Sequence, residues 1–279
     1  MRDPNTFKHA LVGILLLASL PLQAADVNGD GLETILIPLA FMPHAPDVPG
    51  AFGTAWSGEV WLHNGSDRLI DLYNCNSFCP EQFVPGRMGL ITHPLGERPD
   101  LGYLFYVGST LAPRVTFANR MYERTLRGQP RGVDLPVVRE GAFFNNERVF
   151  LGVPVDAGVR AAIRVYDPWV HHFGSTFYPE PPSPRLEGVR VELRREGSEA
   201  TTLGTAVLRP IVQLKQSPID YTRPAFDGIY DLGAMFPAIR DVVGRVHVRV
   251  TPIPAGAEYY AMVSVTDNSS QTVSIITAQ

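Results

Sequence analysis

Gly188–Arg194 reads GVRVELR, a strict alternation that puts Val189, Val191 and Leu193 on one side of an extended chain and Arg190, Glu192 and Arg194 on the other. Gly244–Thr251, GRVHVRVT, repeats the pattern with Val246, Val248 and Val250 on the apolar side. A period of two is what a β-strand with one dry and one wet face produces, as in antiparallel sheets. Ten further segments carry β-branched and aromatic residues between Gly, Pro, Asn and Asp: Thr34–Ala40, Gly58–Asn64, Leu69–Asn74, Gly102–Val107, Arg114–Glu123, Val149–Val155, Ala161–Tyr166, Thr202–Leu208, Glu258–Thr266 and Val273–Thr277. In Gly58–Asn64, Val60 and Leu62 take one face, and Glu59, Trp61 and His63 the other. Only Leu232–Val243 looks helical, and Pro237 limits it to one or two turns. The expected fold is therefore all-β: two immunoglobulin-like antiparallel β-sandwiches, with one short helix in the second.

Composition supports that class. The 279 residues include 25 Gly and 25 Pro, which would interrupt the helices of a bundle. With 45% apolar and 19% charged residues the chain is not intrinsically disordered. Its 24 basic and 28 acidic side chains give a net charge of −4, so nothing electrostatic points to nucleic acid as a partner.

The first residues read as an address. Arg2 and Lys8 precede the apolar run Ala10–Leu20, and Ala24 and Ala25 follow Pro21, which is the layout of a secretory signal peptide over residues 1–24. The run is shorter than the roughly 20 residues that span a bilayer, and no later stretch is apolar enough. The expectation is an exported chain, periplasmic, cell-surface or extracellular, with no transmembrane segment after cleavage. Losing Arg2, Lys8 and Asp3 leaves it at about −5. Residues 25–33 form an N-terminal arm, 34–123 the first sandwich, 124–146 an Arg-, Gly- and Pro-rich linker, and 147–279 the second sandwich.

The two cysteines, Cys75 and Cys79, are expected to pair in an oxidising compartment, closing a small loop. A metal half-site would need two more ligands nearby, and His93 stands alone. Asp26, Asn28 and Asp30, followed by Gly31, match the first half of a calcium loop, but its twelfth position is Ile37 where a bidentate acid belongs. No cofactor is expected, with Ca²⁺ at Asp26, Asn28 and Asp30 as the alternative. The segment Tyr178–Pro184 (YPEPPSP) reads as a rigid surface loop.

Val48-Pro49-Gly50-Ala51-Phe52-Gly53-Thr54-Ala55-Trp56, followed by Gly58–Asp67 (GEVWLHNGSD), and the terminal Tyr260–Asn268 (YAMVSVTDN) resemble patterns in a group of secreted bacterial proteins with repeated immunoglobulin-like modules. The resemblance is strongest over residues 35–67 and 229–279. It implies export and the sandwich fold, and it brings no catalytic residues. The Cys75–Cys79 pair and the Tyr178–Pro184 loop depart from the group's pattern.

No nucleophile elbow of the G-x-S-x-G kind occurs, and the adjacent His171 and His172 would point to opposite faces of a strand. Acids such as Glu59, Asp71, Glu123 and Asp167 cannot be paired into a glycosidase site from sequence. The chain is thus read as non-catalytic, acting in adhesion, surface display or extracellular assembly, with an extracellular protein or glycan as partner. A carbohydrate-binding module is the alternative: Trp56, Trp61, Tyr103 and Tyr106, with Tyr73, would make a platform for sugar rings, unless Trp56 and Trp61 fill a core instead. A secreted hydrolase is the third reading.

Overall fold

The computed structural model describes residues 31–38, 48–49, 53–74, 82–84, 86–92, 102–123, 132–169, 184–210, 212–216, 221–226, 229–242 and 244–279. Every pairing among these strands is antiparallel. One sheet runs β10-β1-β7-β4-β5, from β1 (Leu32–Ile37), β4 (Ile70–Asn74), β5 (Gln82–Val84), β7 (Tyr103–Gly108) and β10 (Val138–Arg139). The second runs β2-β3-β8-β9, from β2 (Val48–Pro49), β3 (Ala55–Asn64), β8 (Val115–Glu123) and β9 (Gly132–Leu135), with β6 (Gly89–Thr92) also on β3. The third, β11-β18-β13-β14, uses β11 (Arg148–Pro154), β13 (Gly188–Arg195), β14 (Ser198–Leu208) and β18 (Arg245–Ile253). The fourth, β17-β12-β19-β20, uses β12 (Val159–Tyr166), β17 (Tyr230–Asp231), β19 (Tyr260–Asp267) and β20 (Val273–Ile276). A separate hairpin joins β15 (Val212–Gln216) to β16 (Tyr221–Ala225).

Each of the twelve segments expected to be extended overlaps a strand, but the two-sandwich arrangement is corrected. The four sheets are arranged like the blades of a four-bladed β-propeller, not as two immunoglobulin-like sandwiches. The physical reason is a third core. Ile35, Ile37, Phe105 and Val107 of the β1–β7 sheet bury against Val60, Leu62, Val115 and Phe117 of the β3–β8 sheet. Val189, Val191, Val246, Val248 and Val250 bury against Ile163, Val165, Ala261 and Val263 of the β12–β19 sheet. The opposite faces of β1 and β7 (Leu36, Leu104, Tyr106) and of β12 and β19 (Tyr166, Tyr260, Met262) then meet in one cluster with Met121, Leu135, Val138 and Trp169. Strands β1, β7 and β19 are therefore dry on both faces along most of their length. Fully burying each such side chain contributes about 1.5–3 kcal/mol, and the doubly buried strands read as continuous apolar runs instead of alternations.

The segment 124–146 carries, from residue 132 on, β9, β10 and a 3₁₀ turn at Glu140–Ala142. Glu33 and Glu140 tie it to β1. Arg139 donates to Glu33 through Nη1 at 2.9 and 3.0 Å, and the Thr34 amide donates to Glu140 Oε2 at 2.8 Å. Arg139 also donates to the carbonyls of Ala112 and Val115. The helix expected near residue 232 is the single turn α1 (Leu232–Met235), capped by Asp231, whose Oδ1 accepts the Ala234 amide at 2.7 Å. Pro237 then starts a 3₁₀ turn, Pro237–Asp241. Among the described residues no helix is long and apolar enough to cross a membrane.

Among the described residues there is no disulfide; the expected pair, Cys75 and Cys79, lies outside them, as do Asp26, Asn28, Asp30, residues 1–24, His171 and His172.

Candidate functional site

The clearest surface feature is the solvent face of the β3–β8 sheet. On β3 the parity read from the sequence holds. Val60 and Leu62 are buried, whereas Trp61 is 45% exposed and His63 is exposed. Antiparallel register sets Trp61 opposite Ala118 on β8 and Ile91 on β6. The same register sets Glu59 opposite Arg120 and His63 opposite Thr116. Ala118 is a small neighbour, in keeping with that exposure. On the next strand Arg120 faces Asp134 of β9, with Nε 3.7 Å from Oδ1. Both side chains are more than half exposed, and such a pair contributes at most about 1 kcal/mol, so it is available to rearrange around a ligand.

The ends of β3 are held by side-chain hydrogen bonds. The fully buried Asn64 ends β3 by donating through Nδ2 to the carbonyls of Arg68 and Val84, both at 2.8 Å. Its Oδ1 accepts from the Ser66 amide (2.9 Å) and hydroxyl (2.7 Å). Asp67 and Arg87, 2.7 Å apart, clasp the same turn from outside, and that ion pair holds the Asp67 carboxyl below its ordinary range. At the other end of β3 the buried Glu123 accepts the Ala55 amide at 3.2 Å. Asn119 donates to the Pro38 carbonyl at 2.6 Å and so links this sheet to β1.

The remaining aromatic residues of the expected platform are elsewhere. Trp56 shares the parity of Val60 and packs against the third core. Tyr103 is buried in the first core, with its ring 4.8 Å from that of Phe105. Tyr106 is buried in the third. The side chain of Tyr73 lies outside the described residues. Of the four residues Trp56, Trp61, Tyr103 and Tyr106, the fold presents Trp61 to solvent and puts the others into two different cores.

The buried acids have structural roles. Glu33 is pushed above the usual carboxylate range by burial, against the pull of Arg139. Glu258 is pushed up likewise, and it accepts from Trp169 Nε1 at 2.6 Å. Sequence reasoning passed over Asn64, which pins the edge of the site. Its signal was the His63-Asn64-Gly65-Ser66-Asp67 run, whose Asn and Ser turn out to bond one another. Among the described residues, no group of three or more His, Cys, Asp or Glu could hold a metal ion.

Taken with its surroundings, the chain is an all-β protein of four small antiparallel sheets with an exposed tryptophan on one sheet face. No family model, curated protein or solved structure matches it.

Proposed function

We propose that the chain is an exported, non-catalytic protein that acts in adhesion, surface display or extracellular assembly, making contact through the solvent face around Trp61. The observation that carries this reading is the position of Trp61: a half-exposed indole on the solvent face of β3, with Glu59, Arg120, His63 and Thr116 at neighbouring positions of the same face. Large aromatics on otherwise polar surfaces are where binding energy concentrates, because they bury much area at little conformational cost. The leader-like segment at residues 1–24 supports export.

A second reading follows from the same residue. A half-exposed indole beside a small residue, bordered by carboxylate and guanidinium groups, suits stacking on a pyranose ring with hydrogen bonds to its hydroxyls. A glycan array and a cell-surface binding assay, run on the wild type and on Trp61→Ala, test both. Glycan signal lost in Trp61→Ala supports the sugar reading. Cell binding lost without any glycan signal supports a protein partner. Equal binding by the two proteins, with the fold of both intact, sinks the proposal that this face makes the contact.

A further inference from the structure

The solvent face of the β11-β18-β13-β14 sheet carries charge of the opposite sign to the chain. The strands that bury Val189, Val191 and Leu193 on one side present Arg190, Glu192 and Arg194 on the other. β18 likewise presents Arg245, His247 and Arg249. Register sets Arg190 beside Thr251, Glu192 beside Arg249, and Arg194 beside His247, with Arg245 one row further along β18. Every one of four successive rows therefore holds a basic side chain. Rows are two residues apart, or about 7 Å, so the strip is about 20 Å long and one basic group wide.

Two acids sit in this strip, and both position guanidinium groups. Glu192 accepts from Arg194 Nε, and the Arg249 charge also helps to keep it ionised. Glu147 lies 3.2 Å from Arg249 Nη1. Arg190 and Arg245 are exposed and have no ion pair among the described residues. His247 Nδ1 accepts the Gly152 amide at 3.3 Å, so the neutral ring carries its proton on Nε2, where it can donate. Val207, opposite Arg190 and 46% exposed, adds an apolar contact at one border.

We propose that this strip is a docking surface for a linear acidic polysaccharide, a chain of sugar rings bearing carboxylates, laid along β13 and β18. Charge complementarity names the occupant. Four arginines against two acids make a positive strip on an acidic protein, and the guanidinium fork matches a carboxylate in plane and spacing. The strip's shape separates a polymer from a lipid surface: a line of single charges follows a chain, whereas a membrane engages a broad basic field. This surface is distinct from that around Trp61.

The test uses the whole protein and polygalacturonate, with its methyl ester as the uncharged control. Wild type is expected to bind the acid but not the ester, and more weakly as salt rises from about 50 to about 300 mM. The double variant Arg190→Ala/Arg245→Ala is expected to bind about tenfold more weakly, with an unchanged melting temperature because both side chains are exposed. Trp61→Ala is expected to bind polygalacturonate as the wild type does, which keeps this proposal separable from the one above. Equal binding of acid and ester overturns it, and so does a double variant that keeps its fold and its affinity. Binding only to vesicles of anionic phospholipid, or only to polyglutamate, overturns it as well.

Discussion

The ring of Tyr166 lies against Gly102 so closely that a Cβ on the glycine would stand 3.0 Å from both Cδ1 and Cε1 of the tyrosine. Gly102 also has φ +77°, a conformation that side-chain-bearing residues adopt only at a cost. The contact joins the start of β7 to the end of β12, and so the first half of the chain to the second. Gly102→Ala is expected to destabilise by about 1–3 kcal/mol, from backbone strain and displacement of Tyr166. Urea denaturation measures it. Because the third core is shared by both halves, the wild type is expected to unfold in one transition; two separated transitions would contradict a shared core.

Arg139 joins a nearly inaccessible carboxylate to two carbonyls, so breaking this group is expected to be severe. Arg139→Met leaves Glu33 buried without its partner and is expected to cost about 3–5 kcal/mol. Adding Glu33→Gln is expected to restore part of that loss, since the uncompensated charge is gone. A double variant no more stable than Arg139→Met would show that the ion pair is not what the arginine supports.

Trp61 and Trp169 have the same chemistry and opposite surroundings, which gives a paired expectation. Trp61→Ala is expected to change stability by under about 1 kcal/mol, since nearly half of the residue is already in water. Trp169→Ala is expected to cost about 3–5 kcal/mol, because that ring is 4% exposed, packs edge-on against Phe143 and donates to Glu258. Thermal melts of the two variants settle the comparison.

Acid should act on the turn after β19. Asp267 Oδ1 accepts from the Ser269 amide and hydroxyl and from the Ser270 amide, at 2.7–2.9 Å, and these bonds hold its carboxyl down to about 2. The folded value lies below the unfolded one. The stabilisation is thus complete above the ordinary value of 3.8 and is lost as pH falls through about 2. Glu258 works in the opposite sense: burial raises its value, so its contribution is present below 4.5 and fades as pH rises through the raised value. Asp267→Asn keeps an acceptor and removes the charge, so the variant is expected to lose less stability than wild type between pH 4 and about 2. An unchanged acid limb would show that this turn does not govern it.

Much of the secondary structure is legible in the chain, because strands with one wet face announce themselves by alternation. Val246–Val250 and Val189–Leu193 need nothing else. The stacking is less legible. Tyr103–Val107 (YLFYV) and Tyr260–Val265 (YAMVSV) are apolar except for Ser264 because both of their faces are covered, and a local run does not say by what. The short strand β10 depends on Arg139 and Glu140 meeting Glu33 and Thr34, in each case 106 residues away. The expected aromatic platform failed on parity: Tyr103 and Tyr106 are three apart on one strand and point to opposite faces, and Trp56 shares the parity of Val60.

The doubly covered strands divide the molecule's freedom to change. Along β1, β7 and β19 almost every substitution disturbs one core or another. Along β3, β8, β13 and β18 alternate residues lie outside the cores, on the solvent side. Descendants of this chain can therefore vary at Trp61, Arg120, Arg190 or Arg245 while the buried residues between them stay fixed. Surface chemistry and architecture are inherited on separate, interleaved registers of the same strands.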